Sequence, residues 1–230
     1  MAYYGPNSGI GVFLSNHPKR SVPENLRIGV VGLGAGTLAV YGRPGDYFRY
    51  YEINPAVVEL SKADHRVFSY IRDSAAQVEI EQGDARLSLE RELLEGKPQR
   101  FDVLVLDAFS GDAVPVHLLT REAFDEYWQH LNAEDGVIAI HVSSRHINLL
   151  PVLDGLTDHY KAYSLINFTG GSYPFIESLW VFISRRDEDL RINGLVLSPP
   201  PVLQLMPPRL WTDVSVENLF RRKLEEKTLR

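Results

Sequence analysis

The sequence predicts an α/β domain: an open, mostly parallel sheet with helices on both faces and an antiparallel strand pair late in the chain. Three observations predict it. Residues 26–52 read as strand, glycine turn, helix-like run and second strand, one βαβ half of a nucleotide-binding sheet. The runs FDVLVL (101–106) and GVIAIHV (136–142) are almost wholly apolar, as strands are when helices cover both faces. Two further apolar runs, 161–168 and 178–184, flank a short glycine-containing loop and are placed to pair antiparallel.

The elements follow in chain order. Residues 1–20 open on a Tyr-Tyr-Gly-Pro turn followed by a short alternating apolar segment over 10–14. This predicts a hairpin or lead-in segment over 1–25 that covers a sheet edge, or alternatively a tyrosine, Tyr3 or Tyr4, reaching over a ligand. The abrupt start also suits a domain cut from a longer chain.

After the strand at 26–31, Gly32 lets the chain turn sharply, Gly34 lets a ligand approach the backbone without meeting a Cβ, and Gly36 lets helix and strand pack closely. The spacing is G-x-G-x-G. The dinucleotide form places its third glycine one position later, where this chain has Thr37, so a ligand without pyrophosphate is favoured. Glu52 ends the second strand about twenty residues past the first glycine, where a carboxylate can accept from both ribose hydroxyls. An adenosine-type ligand is implied.

A helix over 55–64 starts at Asn54 and Pro55, and 66–73 form a loop or short helix. A strand at 77–81 runs into Gly83, Asp84 and Ala85. Asp84 can accept from an adenine amino group or cap the helix over 86–95. The strand at 101–106 ends in Asp107, and the loop after it carries Asp112 and Pro115, at the sheet end where open α/β folds bind ligands. Asp107 can also serve as a structural cap on that loop.

Thr120 caps a helix over 121–131, whose Tyr127 and Trp128 are expected to pack. His141, within the strand at 136–142, reads first as a satisfied core residue and second as a ligand contact, and His146 likewise. A helix over 149–159 precedes the late strand pair. Proline-rich segments then mark an extended tail over 191–230, closing in an amphipathic helix of mixed charge over 216–230. The catalytic domain is expected over 26–190.

Composition narrows the classes. At 230 residues the chain can hold one large α/β domain. The net charge of −6 gives no basic footprint for nucleic acid. There is no cysteine, so disulfides, thiolate metal sites and cysteine nucleophiles are excluded. The seven histidines show no metal-ligand spacing, so no metal is expected. No apolar run reaches membrane-spanning length and no signal-peptide layout opens the chain, so a soluble, cytoplasmic protein is expected.

The combination of YYGP, GLGAGT, YEINP, GDA and FDVLVLDAFSGDAVP resembles the spermidine synthases, or polyamine aminopropyltransferases, and especially bacterial spermidine synthase-like domains fused to membrane segments. The resemblance runs from about residue 3 to 142, more loosely to 184. It implies the seven-stranded Rossmann-like sheet of class I methyltransferases and a donor of decarboxylated S-adenosylmethionine, with S-adenosylmethionine as the alternative. By that resemblance the donor lies against Gly32, Leu33, Gly34, Ala35 and Gly36, with Glu52 and Ile53 at the ribose. Gly83, Asp84 and Ala85 frame the adenine, and Asp107 is the acid at the reaction centre. Tyr4 resembles the family tyrosine that lines the amine site.

Two positions depart from the family pattern. Ala35 stands where the family turn has an aspartate for the donor's amino group, and Ser110 replaces the second acid of the family loop, with Asp112 two positions on. The small β-domain that normally precedes the catalytic domain has no counterpart here, which suits a fragment or a shortened relative.

The chemistry of such a transfer is a displacement at a sulfonium by an amine that must first lose a proton. A free alkylamine has a pKa of about 10, so a carboxylate within hydrogen-bond reach, here Asp107, can orient it and accept that proton. Asp112 can hold the far ammonium of a diamine. The first expectation is therefore an aminopropyltransferase-like enzyme of polyamine biosynthesis acting on a small polyamine such as putrescine. The second is an S-adenosylmethionine-dependent methyltransferase, favoured by Ala35. The third is a non-catalytic domain that binds an adenosine compound or a partner. A homodimer through a sheet edge or the last helix is possible on this pattern, as is fusion to membrane segments in a larger protein.

Overall fold

The computed structural model describes residues 3–62, 68–109, 114–143, 148–171, 174–200 and 207–216. Its strands are β1 (Arg27–Val31), β2 (Tyr47–Glu52), β3 (Gln77–Gln82), β4 (Val103–Leu106), β5 (Val137–His141), β6 (Tyr163–Thr169) and β7 (Ser178–Ser184). The helices are α1 (Gly9–Asn16), α2 (Pro55–Lys62), α3 (Ala85–Leu94), α4 (Arg121–His130) and α5 (Leu150–Tyr160). All seven strands join one sheet in the order β3-β2-β1-β4-β5-β7-β6. β1 to β5 pair in parallel, and β7 lies antiparallel to both β5 and β6. The expected mostly parallel α/β sheet with a late antiparallel pair is the fold observed.

The pleat explains the apolar runs. Successive strand residues point to opposite faces, and here both faces are packed. Val103, Val105, Val137, Ala139, Trp180 and Phe182 belong to a core with α1 and α2, while Leu104, Leu106, Ile138, Ile140, Val181 and Ile183 belong to one with α3, α4 and α5. Strand order reverses between β1 and β4, so the C-terminal ends of these two strands splay their connections to opposite sides. The crevice that opens there holds the candidate site.

The N-terminal segment corrects the expected hairpin. Residues 9–16 form α1, capped by Ser8, whose Oγ accepts from the Gly11 N–H at 3.1 Å. Ile10, Phe13 and Leu14 are fully buried on one stripe, and Phe13 stacks on Phe182 at 4.9 Å between ring centroids. Spacing of three and four makes that stripe helical. Glycine lowers helix propensity, but the packing here requires it: a Cβ at Gly11 would lie 2.2 Å from the Gly5 carbonyl oxygen.

The helix-like run after the glycine turn is a short 3-10 segment, Thr37–Tyr41, bounded by Gly36 and Gly42. The expected third role for glycine also changes. A Cβ at Gly36 would meet the Ile71 side chain at 2.6 Å, so this glycine makes room for the 68–73 segment rather than for helix against strand.

Towards the C-terminus, Ser198 exchanges backbone hydrogen bonds with Phe168 and Ile166 and so forms a bridge along the β6 edge. Residues 207–216 run across α4 and α5. The Arg209 N–H donates to the Pro151 carbonyl, and the Arg121 N–H donates to that of Trp211. Arg86 holds Asp213 through two bonds of 2.8 and 2.7 Å. Most of the amphipathic helix expected over 216–230 lies outside the described residues, as does the whole of 217–230.

Candidate active site

A cleft of about 810 Å³ opens at the C-terminal ends of β1, β2 and β4. Gly32, Gly34, Glu52, Ile53, Gly83, Asp84 and Ala85 line it, so most of the residues read as donor-binding share one cavity. Ala108, Phe109, His117, Leu118 and Val216 complete much of the wall. Leu33 and Ala35 border a much smaller space with Tyr4, Thr37, Tyr50 and Asp107. Gly32 lines both.

The glycine turn is built by sterics. Gly32, Gly34 and Gly36 all have positive φ, at 95°, 51° and 76°, a region costly for residues with a Cβ. A Cβ on Gly32 would come 2.5 Å from the Asp107 carbonyl oxygen, whereas one on Gly34 would meet nothing within 4 Å. The first glycine therefore lets β1 turn past the end of β4. The second leaves the backbone bare towards the cleft.

Glu52 is held by that turn. Its Oε2 accepts from the Leu33 N–H at 2.9 Å and its Oε1 from the Asn54 N–H at 2.8 Å. Each carboxylate oxygen keeps further accepting capacity, and the group borders the cleft. Asp84 takes the capping role read for it, and its carboxylate also borders the cleft. Its Oδ1 caps α3 through the Leu87 N–H at 3.1 Å, while its Oδ2 lies 3.3 Å from His117 Nε2 at the cleft wall.

Asp107 follows the last residue of β4, and its side chain is 8% exposed. The Tyr4 hydroxyl donates to Oδ2 at 2.7 Å, and His141 Nδ1 lies 2.8 Å from Oδ1. Burial, with the Asp107 carboxylate beside it, pushes the Tyr4 hydroxyl far above the ordinary tyrosine value. That hydroxyl therefore remains a donor throughout the neutral range. The Tyr4 carbonyl in turn accepts from the Tyr41 hydroxyl at 2.6 Å, which fixes the segment across the sheet end.

His141 is the residue that sequence reasoning set aside as core. Register explains its position: Val105 pairs with Ala139 and Leu106 with Ile140, so the next pair in line is Asp107 and His141. Both continue the face of the pleat that carries Val103, Val105, Val137 and Ala139. Trp180, opposite His141 on β7, stacks on its ring at 4.5 Å and 8°. Tyr3 and Phe109 approach the same ring at 5.4 and 5.1 Å between centroids. Asp107 and His141 sit at equal offsets from the first residues of β4 and β5, an alignment that the apolar runs over 101–106 and 136–142 do not disclose.

Asp112 and His146 lie outside the described residues. Among the described residues, no group of three or more His, Asp or Glu side chains is placed to hold a metal ion, and no helix is long and apolar enough to cross a membrane.

The sheet order sets the cleft at the strand ends of an α/β fold, and its solved likenesses bear the methyltransferase fold. A precorrin-6y C5,15-methyltransferase from Geobacter metallireducens matches with a TM-score of 0.54 at 13% identity, over 76% of this chain and 86% of that one. A probable spermidine synthase from Corynebacterium glutamicum matches with a TM-score of 0.53 at 16% identity, over 86% of this chain and 81% of that one.

Sequence similarity is more particular. The chain is 32% identical over 122 residues to a polyamine aminopropyltransferase of Vibrio vulnificus, covering 51% of this chain and 38% of that protein. It is also 33% identical over 111 residues to an N-terminal histidine N-methyltransferase of Emericella nidulans, covering 48% of this chain and 19% of that protein. The matched part thus spans well under half the length of either curated relative. No family model matches.

Proposed function

We propose that the chain binds an adenosyl sulfonium donor in the large cleft and transfers its aminopropyl group to a small polyamine, with Asp107 as the acceptor of the amine's proton. The observation that carries this reading is the position of Asp107, nearly buried and held by Tyr4 and His141, on a small space that shares Gly32 with the large cleft, whose glycine turn and Glu52 suit an adenosine ligand. The similarity to a polyamine aminopropyltransferase supports it.

In this reading Glu52 accepts from the ribose hydroxyls, Asp84 with Ala85 meets the adenine, and the backbone from Gly32 to Gly36 lies along the donor. The nucleophile attacks the carbon next to sulfur, a C–N bond forms as the C–S bond breaks, and the thioether departs neutral. One proton leaves the attacking nitrogen, and Asp107 takes it. Two hydrogen bonds already orient that carboxylate, so it need not reorganise when the amine arrives. Tyr4 and Asp112 are assigned to the amine.

A specific observation favours a second reading, methyl transfer from S-adenosylmethionine. Ala35 borders the small space beside Asp107, where the family aspartate would otherwise meet the donor's amino group. Incubation with each donor and putrescine separates the two. Methylthioadenosine together with an aminopropylated amine supports the first reading, and S-adenosylhomocysteine the second.

A further inference from the structure

We propose that His141 and Ser143 are positioning residues: the Ser143 hydroxyl locks the His141 tautomer, so that the ring's Nδ1–H holds Asp107 in place at the reaction centre. The proposal rests on the reading of Asp107 given above.

An unbroken chain of contacts runs from the backbone of β7 to Asp107. The Leu179 N–H donates to Ser143 Oγ at 2.8 Å. Ser143 Oγ lies 2.8 Å from His141 Nε2, and His141 Nδ1 lies 2.8 Å from Asp107 Oδ1. Tyr4 occupies the other carboxylate oxygen. Because residues 141 and 143 are two apart on extended chain, their side chains share a face.

For a neutral ring, the donors and acceptors along this chain select one proton position. A carboxylate only accepts, a neutral imidazole has one N–H, and a serine hydroxyl has one proton to give. Ser143 Oγ already accepts from Leu179, so its own proton is available for Nε2. Nδ1 then carries the ring proton and points it at Asp107. Asp107 Oδ1, 2.8 Å from Nδ1, biases the ring towards the same tautomer, and the Ser143 proton on Nε2 completes the lock. Ring flipping is blocked by Trp180 stacked on one side and Phe109 edge-on.

Carboxylate, imidazole and hydroxyl in this order also occur in nucleophilic triads. Here the Leu179 N–H engages the Ser143 oxygen, and Ser143 borders neither the large cleft nor the small space that Asp107 lines. The hydroxyl therefore works as a lock rather than a nucleophile.

The test measures ring protonation and turnover separately in the full chain. Two-bond ¹H–¹⁵N NMR correlations of the His141 ring, assigned by their loss in His141→Gln, report the tautomer. Steady-state kinetics of wild type, Ser143→Ala and Ser143→Thr report kcat and KM. The expected result is an Nδ1–H ring in wild type and mixed tautomers in Ser143→Ala. That variant should lose kcat by about 10- to 100-fold, with donor KM within about two-fold, as when an orienting partner is removed. Ser143→Thr should restore both.

A wild-type ring protonated only at Nε2 overturns the proposal, as does a Ser143→Ala variant with unchanged tautomer, whatever its kcat. A wild type without turnover whose ring is nevertheless locked by Ser143 supports the lock and counts against the transfer reading.

Discussion

Asp107 and His141 stand side by side at the C-terminal ends of neighbouring parallel strands, with Oδ1 and Nδ1 2.8 Å apart. They lie 34 positions apart in the chain, and only the register of β4 against β5 brings them together. Removing the charge of Asp107 should therefore change the chemistry without dismantling the site. In Asp107→Asn the side-chain oxygen can still accept from Tyr4 or His141. Turnover should fall by about 100- to 10,000-fold, the range for loss of a positioned proton acceptor, with donor affinity nearly unchanged by calorimetry. A parallel loss of affinity and turnover would count against the proton role.

Glu52 should act on binding instead. Glu52→Gln keeps acceptors for the Leu33 and Asn54 N–H groups only in part, and it removes the charge that strengthens bonds to hydroxyls. Donor affinity should weaken by about 10- to 100-fold, in line with hydrogen bonds to charged groups worth about 1.5–3 kcal/mol. Unchanged affinity in a titration would remove the ribose assignment.

The two glycines of the turn should respond differently to the same substitution. Gly34→Ala meets no atom within 4 Å, so its stability cost should be only the left-handed strain of about 1–2 kcal/mol. The added methyl should still obstruct the donor. Gly32→Ala would drive a Cβ into the Asp107 backbone and should be the more destabilising of the two in a denaturant melt. Equal melts for the two variants would contradict this account of the turn.

Arg86 and Asp213 tie the 207–216 segment to the cleft, whose wall includes Val216. Arg86 holds the Asp213 carboxyl below its usual range, so the pair stays charged at neutral pH. Asp213→Asn should loosen this segment and weaken donor affinity by about 2- to 10-fold, with the pair's contribution screened by salt. The check is affinity measured at low and high salt in both proteins.

Stability should fall at both pH extremes for identifiable reasons. Burial lowers the His17 and His130 imidazoles. Each ring accepts a backbone N–H at Nδ1 and is therefore held neutral. A lowered folded value means that the unfolded chain takes up the proton first, so stability is lost as pH drops below about 6.5. At the alkaline end burial raises several tyrosines, Tyr41 to about 12. Their contribution is complete below about 10 and is lost as pH rises through the folded values. Thermal melts between pH 4 and 12 should show both limbs, with tyrosinate absorbance rising alongside the alkaline one.

The sheet was legible because strands buried on both faces leave unbroken apolar runs, and β4 and β5 are such runs. The glycine turn, Glu52 and Asp84 were legible because their spacing is local. α1 was misread because Ile10, Val12 and Leu14 alternate as well as Ile10, Phe13 and Leu14 follow a helical stripe. The full burial of Phe13 with Ile10 and Leu14, and not of Val12, decides for the helix, and composition does not reveal it. His141 was passed over for a related reason: a histidine within an apolar strand looks satisfied until register supplies its partner. The pairing of Arg86 with Asp213, 127 positions apart, left no pattern at all. The reading of Asp112 falls on residues that are not described.

The most direct test of the central claim is product analysis after incubating the wild-type chain with decarboxylated S-adenosylmethionine and putrescine, with Asp107→Asn as the control. The account predicts methylthioadenosine and spermidine in equal amounts from the wild type, and about 100-fold less or lower still from the variant. Donor binding with no aminopropylated product, or equal product from both proteins, would contradict it.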